Sequence, residues 1–150
     1  MIIEGRFSVP ANQERVWACL WDIGTLASWV PGCTKAEKID ETTYKVHLEQ
    51  QVTFLKASFD LILRVLDQEP PKRIAISAEG EDRSITSNIR IGSEIVLEQT
   101  GANSTDISYR HDISVFGRLG ALGFPIIKRK AQEAELEFAR RAAKSLSGKV

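Results

Sequence analysis

The stretch that decides the fold is residues 107–146, ISYRHDISVFGRLGALGFPIIKRKAQEAELEFARRAAKSL, because the spacing of its apolar residues changes within it. Ile107, Tyr109 and His111 alternate with polar neighbours, which predicts a strand with one buried face. From about Leu119 the apolar and small residues recur with the helical period, which predicts a helix of about 25 residues, nearly 40 Å long. A strand followed by one long C-terminal helix therefore sets the architecture.

The apolar stripe of this helix consists mostly of short side chains. Its members are Gly120, Gly123, Phe124, Ile127, Ala131, Ala134, Phe138 and Ala142. Short side chains that face a curved sheet do not reach it, so we predict a dry cavity between helix and sheet. Pro125 either kinks the helix or marks its true start. The glycines near that start fit either a gate that admits a ligand or close packing against the sheet edge.

Upstream of the helix the chain alternates as strands, interrupted once by helical spacing. Residues 3–9 alternate before Pro10, and two short helices follow at about 14–20 and 26–30. Further alternation covers residues 44–48, 55–65, 74–78 and 89–97. We therefore predict an α+β helix-grip fold, in which a twisted antiparallel sheet wraps around one long C-terminal helix and two short helices follow strand 1.

Composition limits the protein to one domain and excludes several functions. The 150 residues, 43% hydrophobic and 27% charged, predict a single domain over residues 1–150. Basic and acidic residues balance at 20 each, so no overall field attracts nucleic acid. Two cysteines and two histidines form no CxxC or HxxxH pair, which argues against a metal site. No GxGxxG, GxxxxGK or GxSxG motif is present, so we expect no nucleotide and no other cofactor.

The amino terminus and the apolar runs predict a cytoplasmic protein. A charge at Glu4 interrupts any signal-peptide pattern. The longest uncharged apolar stretch, residues 119–127, is nine residues long. A membrane-spanning helix needs about 20 such residues, so we expect no transmembrane segment.

The carboxyl-terminal part is the basic side of a chain that is acidic elsewhere. From residue 118 onward, three glutamates stand against eight basic residues, namely Arg118, Lys128, Arg129, Lys130, Arg140, Arg141, Lys144 and Lys149. The run Lys128–Lys130 is typical of a solvated helix face. The alternative is a docking patch, either for an acidic partner protein or for anionic lipid headgroups in a peripheral membrane contact.

His111 and Tyr109 are the weak catalytic candidates, because their strand positions place both rings on the buried face. One interpretation is a core histidine whose hydrogen-bonding needs are met by Tyr44, Ser87 or Ser93. The others are a ligand contact and a general acid or base.

The remaining candidates are aromatic and sulfur side chains. Trp29, beside Pro31, either packs or lines the mouth of the cavity, whereas Trp17 and Cys19 are predicted to pack. Cys33 is interpreted as a small residue that begins a strand, because only Lys35 is near enough to activate its thiol. The predicted ligand-binding set is Trp29, Tyr44, Phe59, Leu61, Ile76, Ile89, Ile91, Tyr109, His111, Phe124 and Ile127, and His47 is predicted to be solvated.

Four short motifs resemble a known family. They are GRFSVP at 5–10, RVWACLWD at 15–22, WVPGC at 29–33 and FGRLG at 116–120. In this order they resemble the CoxG-like family, named for the G subunit of carbon monoxide dehydrogenase, of the START-like, polyketide-cyclase-like (SRPBCC) superfamily. The resemblance implies a helix-grip fold with a cavity for lipophilic ligands. It also implies an accessory role beside a molybdenum-containing carbon monoxide dehydrogenase or a related hydroxylase.

Three hypotheses of function follow. The first is a non-enzymatic accessory protein that binds a small hydrophobic ligand in the cavity. The second is a cyclase- or dehydratase-like enzyme that uses His111 and Tyr109 as acid-base groups. The third is a pure assembly factor that docks through its basic C-terminal helix.

Overall fold

The computed structural model describes residues 1–147; Lys149, counted above in the basic part, lies outside them. Seven strands and three helices follow one another in the predicted order. Their bounds are β1 Ile2–Val9, α1 Gln13–Trp21, α2 Ile23–Trp29, β2 Cys33–Asp40, β3 Thr43–Val52, β4 Leu55–Glu69, β5 Arg73–Asp82, β6 Ser87–Gly101, β7 Ser104–Gly117 and α3 Phe124–Ser147. The predicted helix-grip architecture, with two short helices after strand 1, is confirmed.

All seven strands form one antiparallel sheet in the order β1-β7-β6-β5-β4-β3-β2. From β2 to β7, each strand pairs with the next one along the chain. Strand β1 pairs with β7 at the other edge of the sheet, with Gly5 opposite Tyr109 and Phe7 opposite Ile107. On β4, Leu55, Ala57 and Phe59 are buried as the alternation predicted. The sheet therefore has one face turned to α3 and one face turned to solvent.

The alternation of apolar and polar residues did not predict the bounds of strand β2. It is an edge strand, CTKAEKID, and most of its side chains are exposed on both faces. A strand without a buried face carries no apolar period. Cys33 does begin a strand, as interpreted from the sequence.

The two short helices are capped by acceptor side chains. Asn12 accepts a hydrogen bond from the Arg15 amide at 2.9 Å, and Asp22 accepts one from the Thr25 amide at 3.3 Å. Each cap meets the need of an amide that the first helical turn leaves unpaired. Asp22 lies between the two helices, so its cap marks the end of α1 and the start of α2.

Of the two starts that the sequence allowed for the long helix, about Leu119 and Pro125, the structure agrees with the second. Residues Gly120–Leu122 form a 3-10 turn, Gly123 has φ 98, and α3 begins only at Phe124. Pro125 marks the start because a first-turn residue needs no amide hydrogen. A side chain at Gly117 or Gly120 would meet a nearby backbone carbonyl oxygen, so close packing accounts for these two glycines.

The buried core is divided into two clusters at opposite ends of α3. The first, where α1 and α2 cover the sheet, contains Val9, Ala11, Val16, Trp29, Leu97, Ile107, Ala142 and Leu146. The second, where α3 begins, contains Val52, Leu55, Ala57, Phe59, Leu61, Ile85, Leu119 and Ile127. Helix α3 therefore packs on the sheet at its two ends.

None of the helices within residues 1–147 combines the length and the apolar character that crossing a membrane requires.

Candidate functional site

Between the two clusters, side chains of the middle strands face α3 without being fully covered by it. Ile76, Ile91, Tyr109 and His111 belong to this inward face and stay partly accessible. The opposing side of α3 presents small residues, including Ala131. Alanine side chains are too short to fill the space that the curved sheet leaves. We call the region between these side chains and the middle of α3 the grip groove.

One contact between polar side chains crosses the middle of the groove. Glu135 of α3 places Oε1 2.9 Å from Nε2 of His111 on β7, and the two side chains are 24% and 14% exposed. Although the two atoms are close, the geometry is not that of a hydrogen bond, so Nε2 has no aligned hydrogen-bond partner among the described residues. The edge of the imidazole is therefore free to take a better-aligned acceptor.

The other ring nitrogen of His111 is held by the sheet. The Ser93 hydroxyl on β6 and Nδ1 share a hydrogen bond at 2.7 Å. Of the three partners predicted for a core histidine, Ser93 is the one that binds it; Ser87 instead donates to the Ile85 carbonyl. A ring fixed on one side keeps Nε2 aimed toward α3.

Tyr109 stacks on His111, with ring centroids 5.0 Å apart and planes 24° apart. Burial, helped by the Glu135 charge, raises the pKa of the Tyr109 phenol above its ordinary value. The ring lies across Gly5 of β1, where a Cβ atom would collide with its hydroxyl. Tyr109 is thus a neutral aromatic wall of the groove at physiological pH.

A row of aromatic rings runs from this wall into the closed end. Phe7 lies 6.3 Å from Tyr109 and 6.2 Å from Phe138, and Phe138 meets Trp29 edge-on at 6.0 Å. Such edge-to-face contacts favour a fixed arrangement of the rings. The row closes the groove on the side of α1 and α2.

The structure distributes the predicted ligand-binding residues over three environments. Partly accessible on the groove face are Ile76, Ile89, Ile91, Tyr109 and His111. Buried in side-chain packing are Trp29, Tyr44, Phe59, Leu61 and Ile127. Phe124 is 54% exposed at the first residue of α3, outside the groove.

Trp29 does not line an open mouth. Trp29 is the last residue of α2, and its indole packs against Phe138 in the first cluster. Its side chain is therefore only 1% exposed. Its Nε1 has no hydrogen-bond partner within the part of the chain that the structure describes. Trp17 packs at the edge of the same cluster, as does Cys19, and burial raises the pKa of the Cys19 thiol.

Glu135 is the groove residue that the sequence reasoning missed. It lies four residues after Ala131 and eight after Ile127, so helical spacing alone puts it on the inward stripe. A carboxylate in an apolar stripe is uncommon unless it is paired. Those two observations together would have identified it.

A second polar network lies on the outer face of the sheet. His47, predicted to be solvated, has Nδ1 2.8 Å from Asp60, and its Nε2 lies 2.9 Å from the Ser58 hydroxyl and 3.2 Å from Glu49. The Asp60 carboxylate, with Glu49 adding to it, raises the pKa of His47 above its ordinary value. Within residues 1–147 no cluster of histidine, cysteine and acidic side chains is suited to hold a metal ion.

The outer face also carries clefts. One of about 800 Å³ lies beside Ser58, Glu79 and Arg90, and one of about 380 Å³ lies beside Lys45 and His47. A third, of about 350 Å³, is lined by Glu4, Glu94 and Arg110, among others. Charged side chains line all three clefts.

The sequence profile of the CoxG family, the G subunit of carbon monoxide dehydrogenase, matches residues 5–147. No protein of curated function matches the sequence. Among solved structures, a conserved protein from Geobacillus kaustophilus is 24% identical with a TM-score of 0.89, and the match covers 98% of this chain and 95% of the other.

Two further solved structures share the fold at lower identity. A START superfamily protein from Mycobacterium smegmatis is 14% identical with a TM-score of 0.77, over 97% of both chains. The Zhui aromatase/cyclase from Streptomyces sp. R1128 is 15% identical with a TM-score of 0.70, over 98% of this chain and 93% of the other. These likenesses establish the helix-grip fold.

Proposed function

The chain belongs to the CoxG family of carbon monoxide dehydrogenase, and we propose that it is a non-enzymatic accessory protein that binds a small hydrophobic ligand in the grip groove. The observation that carries the proposal is the divided core. Apolar side chains at the centre of the sheet, among them Ile76, Ile89 and Ile91, face α3 and remain partly accessible. Covering that apolar surface with a ligand would remove it from water, which is favourable.

The groove also offers one polar anchor for such a ligand. His111 is fixed through Nδ1 and presents Nε2 to Glu135 without good alignment. A ligand oxygen can replace the carboxylate at Nε2, while the ring of Tyr109 covers an apolar part of the same molecule. We propose His111 as the hydrogen-bonding contact and Tyr109 as the stacking contact.

Ligand binding is tested by the melting temperature of the purified protein in the presence of quinones, fatty acids and small aromatics. A ligand present at 100 times its Kd stabilises the folded state by about 2.7 kcal/mol, so at least one member of the panel should raise the melting temperature by several degrees. Ala131→Trp, which fills the groove, should abolish the shift. The matched variant Gln132→Trp, on the exposed side of α3, should retain it. If no compound of the panel raises the melting temperature of the wild type, the proposal is contradicted.

A second candidate function is a dehydratase-like activity, which the stacking of Tyr109 on His111 favours. The two side chains lie close enough for one to act as a base and the other as an acid on the same substrate. In this proposal His111 removes a proton from the carbon beside a ketone, Tyr109 protonates the leaving hydroxyl, and water departs as the double bond forms. His111→Ala should then abolish dehydration of a bound β-hydroxy ketone and leave its binding measurable; turnover that survives the substitution removes this candidate.

The accessory role further implies a partner, and we propose a molybdenum hydroxylase of the carbon monoxide dehydrogenase type. The support is family membership. Affinity purification of the tagged protein from its own cells should recover the hydroxylase polypeptides in defined proportion. Their consistent absence, with the tagged protein folded and abundant, contradicts the association.

A further inference from the structure

Four polar side chains meet on the outer face of the sheet, the face turned away from α3. Strands β3 and β4 pair in antiparallel fashion, with His47 opposite Asp60 and Glu49 opposite Ser58. The residues on either side of Ser58 are buried in the second apolar cluster, so the alternation of β4 turns Ser58 and Asp60 outward. The four side chains therefore form two adjacent cross-strand pairs.

Three of these side chains form a continuous chain of hydrogen bonds, which we call the outer triad. Oδ1 of Asp60 lies 2.8 Å from Nδ1 of His47, and the Ser58 hydroxyl lies 2.9 Å from Nε2 of the same ring. An ionised carboxylate can only accept, so Asp60 holds the ring proton on Nδ1 and leaves the lone pair of Nε2 to the Ser58 hydroxyl. A hydroxyl bound to an imidazole in this way becomes a better nucleophile.

A buried carboxylate holds the main chain at Ser58. The hydrogen-bonded ladder between β4 and β5 ends with Asp60 opposite Glu81, and beyond it the Ser58 amide donates to Oδ2 of Asp82 at 2.7 Å. Asp82 is 6% exposed, and its Oδ1 accepts from both the amide and the hydroxyl of Ser84. These bonds fix the backbone of Ser58, so the direction of its side chain is set before any reagent arrives.

Ser58 borders the outer-face cleft of about 800 Å³. Four carboxylates and two guanidinium groups line this cleft, namely Asp60, Glu79, Glu81, Asp82, Arg83 and Arg90. The excess of negative charge favours a neutral or cationic guest over an anionic one. The Asn88 amide and the Arg83 guanidinium line the same cleft and can donate to an oxygen that gains charge near Ser58.

We propose that Ser58 is an activated serine that accepts an acyl group from a small neutral ester or thioester. Oγ of Ser58 bonds to the carbonyl carbon as its proton passes to Nε2 of His47. The bond from that carbon to the leaving oxygen or sulfur then breaks, and His47 returns the proton to the leaving group. The products are O-acylated Ser58 and a free alcohol or thiol.

Two carboxylates stabilise the imidazolium that exists during this transfer. Asp60 stays on Nδ1, and Oε2 of Glu49 lies 3.2 Å from Nε2. The pKa of His47 is accordingly raised, with the hydrogen bond from Asp60 as the largest cause. The site lies on an open strand face, where water partly solvates the developing oxyanion, so we expect a single slow acylation rather than rapid turnover. The grip groove lies on the other face, and the inference does not depend on ligand binding there.

The test is incubation of the purified protein with p-nitrophenyl acetate at pH 8. The wild type should release a burst of one nitrophenolate per chain, and mass spectrometry should then find one acetyl group on Ser58. Hydroxylamine should remove this group, since it cleaves serine esters and not lysine amides. Ser58→Ala should abolish the burst, His47→Gln should slow it at least about 100-fold, and Asp60→Asn should slow it at least about tenfold.

The pH dependence of the burst distinguishes a base from a merely structural histidine. His47 accepts a proton only when it is neutral, so the burst rate should rise with pH through the folded pKa of His47, which lies above 6.5. The charged groups around the ring are Asp60 on β4, Glu49 and Lys45 on β3, and Lys35 on β2. Asp60→Asn removes the charge that raises the pKa most, so it should move the midpoint of the rise to lower pH.

Ser77→Ala is the matched control, because Ser77 lies on the outer face of β5 opposite Arg64, away from His47. It should keep the wild-type burst, and circular dichroism should show that every variant is folded. A wild type without a hydroxylamine-sensitive acetyl group overturns the proposal. So does a burst that Ser58→Ala retains, which would assign the reaction to other surface groups, or a midpoint that Asp60→Asn leaves in place. A burst that Ser77→Ala loses as completely as Ser58→Ala would also overturn it.

Discussion

Glu135 on α3 and His111 on β7 meet at 2.9 Å across the middle of the grip groove. At its two ends α3 packs through apolar clusters, and in between its Glu135 carboxylate reaches His111. The pair is largely shielded from solvent but not perfectly aligned. The pair therefore connects α3 to the sheet and leaves a polar position that a ligand can take.

Removing the charge of Glu135 should destabilise the protein measurably. Glu135→Gln weakens the contact of a shielded carboxylate with the His111 imidazole, so we expect the free energy of unfolding to fall by about 1 to 2 kcal/mol. Urea denaturation measures the change. Glu133→Gln, an exposed neighbour on the same helix, should stay within about 0.5 kcal/mol of the wild type. Equal effects for both variants would mean that the pair contributes nothing specific.

Gly117 should tolerate no side chain, unlike Gly92. The residue at 117 has φ 84, and a Cβ atom there would collide with the carbonyl oxygen of Thr86, whereas nothing lies within 4 Å of a Cβ atom at 92. We expect Gly117→Ala to cost at least about 2 kcal/mol of unfolding free energy. Gly92→Ala should be neutral or slightly stabilising, because alanine is less flexible in the unfolded chain. Similar melting temperatures for the two variants would refute this account of the β7–α3 connection.

His47 should make stability depend on pH. Its pKa is raised in the folded protein, mainly by Asp60, so the imidazolium contributes stability that is complete below the unfolded value of 6.5. That stability is lost as the pH rises through the raised folded pKa. Denaturation at several pH values from 5 to 9 should show this decline in the wild type and a smaller one in His47→Gln.

The matched control for this pH effect is Glu98→Gln, an exposed carboxylate on β6 that lies away from the His47 network. It should keep the wild-type profile, and Asp60→Asn should reduce the decline as His47→Gln does. A decline of the same size in His47→Gln and in the wild type would assign the pH dependence to other groups.

Periodicity was enough to predict most of the sheet and the presence of α3. Leu55, Ala57 and Phe59 indicated a buried face because only one side of β4 is covered. The edge strand β2 carried no such signal, since Lys35, Glu37 and their neighbours face water. The start of α3 was left open because Gly120 and Gly123 fall on helical spacing, and spacing does not report the φ of 98 at Gly123 that excludes a helix.

The site was predicted only in part, for a related reason. Strand alternation placed Tyr109 and His111 on the inner face correctly. The partner of His111 across the groove depends on how α3 lies over the sheet, which is a long-range property. Phe124 was expected in the groove and is outside it, since the helix starts there rather than five residues earlier.

The central claim is that the space under α3 holds a small hydrophobic molecule. Native mass spectrometry of protein purified from its own cells, followed by solvent extraction, tests it most directly. The account predicts a complex heavier than the polypeptide by one small-molecule mass, with an apolar compound recovered in the extract and absent when Ala131→Trp is purified in the same way. A single species at the mass of the polypeptide, with an empty extract, would contradict it.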